Sequence, residues 1–369
     1  MDNIHLPIEL WTLIAGPLDI KLQVRLIQLC KTLKNFIFIT DLCNIDDKLQ
    51  EKLNRDIIKK YPYIKKLDAS LGPEVDVGWR LVIKDKDLMG LNLIKLYANN
   101  NPNIKKINHM TNLKILNVDW GSGINDESLI GLNLFELNAG SNNKIKKINH
   151  MKNLRILHTN RYSEIDDDSL IGLNLFELDV SDNPNIIKIN HMTNLKVLKA
   201  SGEYCGIEND SLVGLNLVEL DASYNPKIKN INHMTNLRIL HAIGNCGIDT
   251  DSLVGLNLVE LNAGNNCKIK KINHMSNLRI LYATDTYCGI DNDSLVGLNL
   301  VELNVSNNSK IRKINHMTNL RILNASGICG IDDDGLRLNL IELNVSNNRK
   351  IRKINHMTNL KILNRYCIR

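Results

Sequence analysis

Residues 258–298 read LVELNAGNNCKIKKINHMSNLRILYATDTYCGIDNDSLVGL. They hold two related frames, one opening at Leu258 and one at Leu278. Each has the form L-x-x-L-x-A, then a polar turn, then later aliphatic positions such as Ile269 and Ile272, or Ile290 and Leu295. A short strand alternates its side chains between two faces, so the fourth and sixth positions point inward while the third, fifth and seventh point outward. The Asn-, Gly- and Ser-rich stretch must then turn the chain, and the later Ile and Leu positions close the far side of a coil. One coil of 20–22 residues cannot bury its own apolar side. Stacked neighbours can, because together they build one continuous core.

Outward from this stretch the pattern repeats. The phrase NHMxNL begins at Asn108, Asn149, Asn190, Asn232, Asn273, Asn315 and Asn355. Frames open at Leu93, Leu113, Leu134, Leu154, Leu175, Leu195, Leu217, Leu237, Leu258, Leu278, Leu300, Leu320, Leu340 and Leu360, with a degenerate one at Ile64-Lys-Lys-Leu67-Asp-Ala69. The two kinds alternate: the first frame is the Leu258 kind, the second the Leu278 kind. These residues resemble the leucine-rich-repeat family. The resemblance implies an α/β solenoid of about 14–15 coils of 20–22 residues, a parallel sheet on the concave face, short helical or irregular segments opposite, and protein binding.

The outward positions carry the candidate contacts. At the third position the first frame has Glu136, Glu177, Glu219, Glu260, Glu302 and Glu342, and the second has Ile115, Ile156, Val197, Ile239, Ile280, Ile322 and Ile362. Carboxylate and aliphatic rows should therefore alternate on one face. β-branched residues favour strands in any case, yet an apolar run on one face also marks interaction surfaces. The fifth position and the turn after it vary most among second frames. Trp, Tyr and Arg dominate binding hot spots, which selects Trp120, Arg161, Tyr162, Tyr204, Tyr282 and Tyr287. With Ile156, Val197, Ile239, Glu260 and Ile280 they form the candidate target-binding set. Neutral drift in exposed turns is the competing reading.

The bulk composition narrows the function classes. The formal net charge is +6, from 46 basic and 40 acidic side chains. Lys-rich phrases such as Lys144–Ile148 alternate with acidic ones such as Asp166–Asp168, Asp249, Asp251, Asp291, Asp293 and Asp332–Asp334. Interleaved coils would set these side chains against one another, which argues against nucleic acid. The seven NHM histidines fall two coils apart, about 10 Å, too far to share one metal ion. They are expected to hydrogen-bond backbone groups. Cys205, Cys246, Cys288 and Cys329 are spaced likewise, beyond disulfide reach, and read as buried thiols in a reducing compartment. No cofactor, catalytic constellation, secretory signal or membrane-spanning run is expected, which suggests a cytoplasmic protein.

The first sixty residues lack the repeat. Pro7 and Glu9 suit a helix start. Leu10, Leu13 and Ile14 share one face, Gly16-Pro17 ends that helix, and Leu22, Leu26, Leu29 and Leu33 line a second. Asp41–Tyr61, with Leu42, Ile45, Leu49, Leu53 and Ile57, reads as a third amphipathic helix capping the coils. Leu6, Pro7, Glu9, Leu10, Ile14, Leu18, Asp19, Leu22, Leu29, Cys30 and Lys31 resemble an F-box. The family's frequent Trp after that Lys is Leu33 here. The resemblance implies that Leu6, Pro7, Leu10, Ile14, Leu18 and Leu22 dock on the adaptor subunit of a cullin-type ubiquitin ligase, while the coils hold a target protein. The alternative is a non-catalytic scaffold or decoy whose N-terminal helices only cap the solenoid. The expected division is 1–40 F-box-like, 41–62 linker and cap, and 63–369 solenoid. The near-identical, Asn-, Ile- and Lys-rich copies also resemble repeat proteins of giant amoeba-infecting viruses.

Overall fold

The computed structural model describes residues 18, 20–29, 39–43, 58, 61, 63–71 and 83–366. The chain forms two compact units that divide between Leu173 and Asn174. The first holds α1 (Ile20–Leu29), β1 (Asp41–Leu42), β2 (Lys66–Asp68), α2 (Asp85–Leu88), β3 (Lys95–Tyr97), β4 (Ile115–Asn117), α3 (Asp126–Leu129), β5 (Glu136–Asn138) and β6 (Ile156–His158). The second holds β7 (Glu177–Asp179), β8 (Val197–Lys199), β9 (Glu219–Asp221), β10 (Ile239–His241), β11 (Glu260–Asn262), β12 (Ile280–Tyr282), β13 (Glu302–Asn304), β14 (Ile322–Asn324), β15 (Glu342–Asn344) and β16 (Ile362–Asn364). Within each unit every strand pairs in parallel with its neighbours in chain order.

The pairing register obeys the frame. Leu220, Leu240, Leu261, Leu281 and Leu303 sit opposite one another on consecutive strands, and each is fully buried. The small sixth-position residues Ala222, Ala242, Ala263 and Ala283 lie beneath them, also fully buried. Each buried leucine is worth roughly 2–3 kcal/mol by area. The degenerate frame at Ile64 forms β2, with Leu67 and Ala69 buried as its pattern requires.

One expectation is corrected at the N-terminal side. Asp41–Leu42, placed at the start of a capping helix, is instead a strand in register with Lys66–Leu67. Leu42 is buried, and the Asp41 carboxylate accepts from the Cys43 N–H at 2.9 Å, turning the chain out of the strand. Residues 44–57 lie outside the described residues; Ile58 is helical and buried. α1 contains the expected Leu22 and Leu26.

Two frames meet in the interior through asparagine. In the second unit Asn266 Nδ2 donates to Ala242 O at 2.9 Å and Ile248 O at 3.2 Å, both on the preceding coil, while its Oδ1 accepts from Lys268 N at 2.9 Å. Asn225, Asn308 and Asn348 make the same three bonds, and in the first unit Asn142 does so. Every one is a first-frame residue, five positions after the inward leucine. The equivalent interior place in second frames holds Ser122 and Ser163 in the first unit and Cys205, Cys246, Cys288 and Cys329 in the second, all buried. First-frame coils, from Leu93 to Leu113 and onward, are all 20 residues long; second-frame coils run from 20 to 22. All length variation thus lies where the asparagine is missing.

On the side opposite the strands, second frames form short helical segments: α2, α3 and the 3-10 turn Asp168–Leu170 in the first unit, then 3-10 turns Asn209–Leu212, Asp251–Leu253 and Asp293–Leu295 in the second. The last carbonyl of each of the three second-unit segments accepts the backbone N–H three residues on, and its second lone pair faces the NHM histidine of the following coil. His233 Nε2 lies 3.2 Å from Leu212 O, His274 3.4 Å from Leu253 O and His316 3.1 Å from Leu295 O. A carbonyl only accepts, so Nε2 is the protonated nitrogen in each pair.

The acidic positions behave differently from the expectation. Lys146 does pair with Glu164 at 3.5 Å, but Asp166, Asp249 and Asp291 accept from Ser169, Ser252 and Ser294 of their own coil, and others accept backbone N–H groups from the next coil. Asp126 Oδ1 takes Lys146 N at 2.7 Å and Lys147 N at 2.9 Å, and Asp333 does the same with Arg352 and Lys353. Asn209, Thr250 and Asn292 perform this task at the same place. The position requires an acceptor oxygen, and a charge is incidental. The first lysine of each KIxK phrase likewise turns inward: Lys268 Nζ donates to Cys246 O at 2.8 Å and Lys310 Nζ to Cys288 O at 2.7 Å. Among the described residues no helix is long and apolar enough to cross a membrane.

Candidate protein-interaction surface

The turn after each strand is set by one backbone position, the eighth of the frame, which lies in the left-handed region. In the first unit it holds Asn100 (φ 54°), Trp120 (46°), Ser141 (53°) and Arg161 (55°). In the second it holds Asp182, Gly202, Tyr224 (58°), Gly244, Asn265, Asp285, Asn307, Gly327 and Asn347. A β-carbon there costs about 1–2 kcal/mol, which Gly avoids and Asn and Asp partly offset. Trp120, Arg161 and Tyr224 are strained occupants of a position where smaller residues serve. Such outliers cluster at functional sites. The Tyr224 ring lies over Gly244 so closely that a β-carbon at Gly244 would overlap it; the glycine makes room for the tyrosine.

One or two residues further on, the second-frame turn points one side chain out just before its Ser or Cys points in. Tyr162 precedes buried Ser163 in the first unit; Tyr204, Tyr287 and Ile328 precede buried Cys205, Cys288 and Cys329 in the second. The tyrosines remain 75, 73 and 74% exposed, and Trp120 and Ile328 are 56 and 60% exposed. Cys205 N donates to Gly202 O and Cys288 N to Asp285 O, closing the turn beneath its tyrosine. Burial pushes the Cys205 thiol up to about 12 and those of Cys246, Cys288 and Cys329 to about 11. These thiols are therefore packing groups rather than nucleophiles.

The strand face is less open than the alternating rows suggest. Ile156 in the first unit and Val197, Ile239 and Ile280 in the second point outward but are half-buried, because strands about 4.8 Å apart crowd their side chains. The glutamates beside them are engaged. Lys199 Nζ is 3.2 Å from Glu177 Oε1, His241 Nε2 is 3.6 Å from Glu260 Oε1, and Tyr282 OH donates to Glu302 Oε1 at 2.8 Å. Burial, and then the Glu302 carboxylate, push the Tyr282 hydroxyl up to about 12.

Of the remaining sequence-selected residues, Leu6, Pro7, Leu10 and Ile14 lie outside the described residues. Leu18 is half-buried, and Leu22 on α1 is 41% exposed. Tyr224 and Ile328 carry no signal in their own stretch of sequence. Aligning the frames by position finds both: one stands at the left-handed position, the other in the column of Tyr204 and Tyr287. Among the described residues no cluster of His, Cys, Asp or Glu could hold a metal ion.

Comparison with solved structures gives the fold a name. The chain is similar to a chain in the crystal structure of a TLR13–ssRNA13 complex, with a TM-score of 0.52 at 17% identity, covering 89% of this chain and 62% of that one. The fold is a leucine-rich-repeat solenoid. The chain spans less than two thirds of that neighbour's length. More distant likenesses are the complex of Rad7 and Elc1 in yeast (TM-score 0.45, 15% identity, 96% of this chain and 92% of that one) and the functional domain of InlJ from Listeria monocytogenes, which includes a cysteine ladder (0.36, 16%, 84% and 65%). No family model and no curated protein matches the sequence.

Proposed function

We propose that this chain is a protein-binding adaptor. Its solenoid would hold a target protein on the second-frame turns, and its F-box-like first forty residues would dock on the adaptor subunit of a cullin-type ubiquitin ligase. The observation that carries the binding reading is the set of large exposed side chains on turns anchored by a rigid core: Trp120, Arg161 and Tyr162 in the first unit, and Tyr204, Tyr224 and Tyr287 in the second. A constant scaffold presenting variable tips is a general design for recognition, and Trp, Tyr and Arg give the most binding energy per side chain. Ile156, Val197, Ile239, Glu260, Ile280 and Tyr282 would contribute along the strand face where the partner settles between turns. The resemblance to viral repeat proteins makes host cytoplasm the proposed setting, with a host protein as target.

Docking through the N-terminal segment is supported by the F-box-like residues and by Leu22, a large apolar side chain left exposed on α1. The capping alternative is supported by β1, which extends the sheet of the first unit, and by buried Ile58. A pull-down of the full chain with the ligase adaptor subunit separates the two. Wild type should bind, while Leu10→Asp and Leu22→Asp should not, with unchanged circular dichroism and melting temperature. Absence of binding by wild type contradicts the docking proposal and leaves the scaffold reading.

A further inference from the structure

The edge where the chain enters the strands carries a second ordered surface. The residue at frame position two forms a continuous backbone ladder in the second unit: Lys196 N donates to Phe176 O, Val218 N to Lys196 O, Arg238 N to Val218 O, and so on through Val259, Arg279, Val301 and Arg321. Apolar and basic side chains therefore alternate rung by rung. Val218, Val259 and Val301 are exposed at 39–40%, and the neighbouring Val213, Val254 and Val296 at 56–60%. Arg238, Arg279 and Arg321 are held in place, each Nη1 donating to two backbone carbonyls of its own coil. Their other guanidinium N–H groups have no partner among the described residues. No Asp or Glu occurs in residues 213–218, 232–238, 254–259, 273–279, 296–301 or 315–321, which make up this edge.

A surface with fixed cations and exposed aliphatics, its acids confined to the margins at Glu219, Glu260 and Glu302 on the strand side and Asp251 and Asp293 on the other, calls for a partner with carboxylates and aliphatics in the same alternation. Rungs step by about 4.8 Å, so like residues recur at about 10 Å. On one face of an α-helix, residues i, i+3 or i+4, and i+7 step by about 5 Å and return at about 10 Å. A β-strand repeats its face at nearly 7 Å and falls out of step within three rungs. We infer that this edge binds an amphipathic helix bearing a carboxylate every seventh residue and an aliphatic side chain midway between. The turns proposed above to hold the target lie after the strands, so this is a separate surface. A nucleic acid would satisfy the arginines but leave the valine rows unpartnered, since stacking platforms for bases are aromatic.

The test uses the full-length chain and a fluorescein-labelled helical peptide of about 18 residues, with Glu at every seventh position and Leu between. Saturable binding by fluorescence anisotropy is expected. Arg238→Glu/Arg279→Glu/Arg321→Glu should weaken it by roughly tenfold or more, and Val254→Gln/Val296→Gln by roughly fivefold. A peptide of identical composition with Glu and Leu scattered round the helix should bind roughly tenfold more weakly. Circular dichroism checks that each variant is folded; Arg279→Gln gives the same direction if the triple reversal fails to fold. No saturable binding, equal binding of the scattered peptide, or tighter binding of oligo(dT) or phosphatidylglycerol vesicles than of the peptide would overturn the inference.

Discussion

The two frames share a strand and differ in the turn after it. In the first, a buried asparagine ties its turn to the coil before it by two hydrogen bonds and closes its own turn with a third, and all seven complete coils have one length. In the second, a serine or cysteine fills the same interior place. Cys288 reaches Ala263 O at 3.4 Å through sulfur, a weak donor, and the turn varies in length and carries the large exposed residues. An amide that must satisfy fixed backbone groups on two coils permits one turn geometry. A small thiol asks only for space, so the chain above it is free to lengthen and to carry tyrosine.

The contrast is most strongly tested inside the coil. Asn266→Ala leaves the buried Ala242 O and Ile248 O without their donor and Lys268 N without its acceptor, and should cost roughly 3 kcal/mol. Cys329→Ala removes one buried sulfur and should cost about 1 kcal/mol. Paired urea denaturation curves check this, and equal losses would erase the distinction between frames.

Thiol chemistry separates the frames next. Cys267 lies exposed in a first-frame turn, whereas Cys246 is fully buried with its thiol pushed up to about 11. Alkylation followed by peptide mass spectrometry should label native Cys267 on the order of 100-fold faster than Cys246, with the gap closing in denaturant.

The helical segments of second frames add a pH dependence. The Ser252 hydroxyl, and then the Ser252 N–H, hold the Asp249 carboxyl below its usual range. A depressed folded pKa means that the stabilisation is fully present above the unfolded value, near 4, and is lost as pH falls through the folded one. Melting temperature measured across that window should fall in wild type and fall less in Asp249→Asn.

The smallest effect concerns the left-handed position. Arg161→Asn relieves a bulky residue at φ 55° and should stabilise by up to about 1 kcal/mol. A loss of target binding alongside that gain would mark Arg161 as kept for recognition, and a destabilised variant would count against the strain argument.

Much of this was legible in the sequence because it depends on local periodicity. Leu261 and Ala263 announce an inward face by alternation alone, and the coil count comes from repetition. The interior asparagines read as turn formers because the groups that Asn266 satisfies lie 18 and 24 residues earlier, where no local pattern reaches. Their constancy beside variable neighbours was the available signal. Asp41–Leu42 was misread because two residues are too few to show a strand period. The acidic row was misread as charge pairing because sequence shows the carboxylate of Asp126 but not the backbone N–H groups it faces; Thr250 and Asn292 at the same place were the clue that an acceptor sufficed. The alternation of Val259 and Arg279 is visible only when frames are read down a column.

The most direct test of where recognition resides puts a photo-crosslinking amino acid at single sites in the full chain and exposes each to extract of the source cells. Substitution at Tyr204 or Tyr287, in second-frame turns, should yield discrete crosslinked proteins, while substitution at Asn265 or Asn307, in first-frame turns, should yield none. Equal crosslinking from both sets, or none from the tyrosine sites, would contradict the claim that the second-frame turns hold the target.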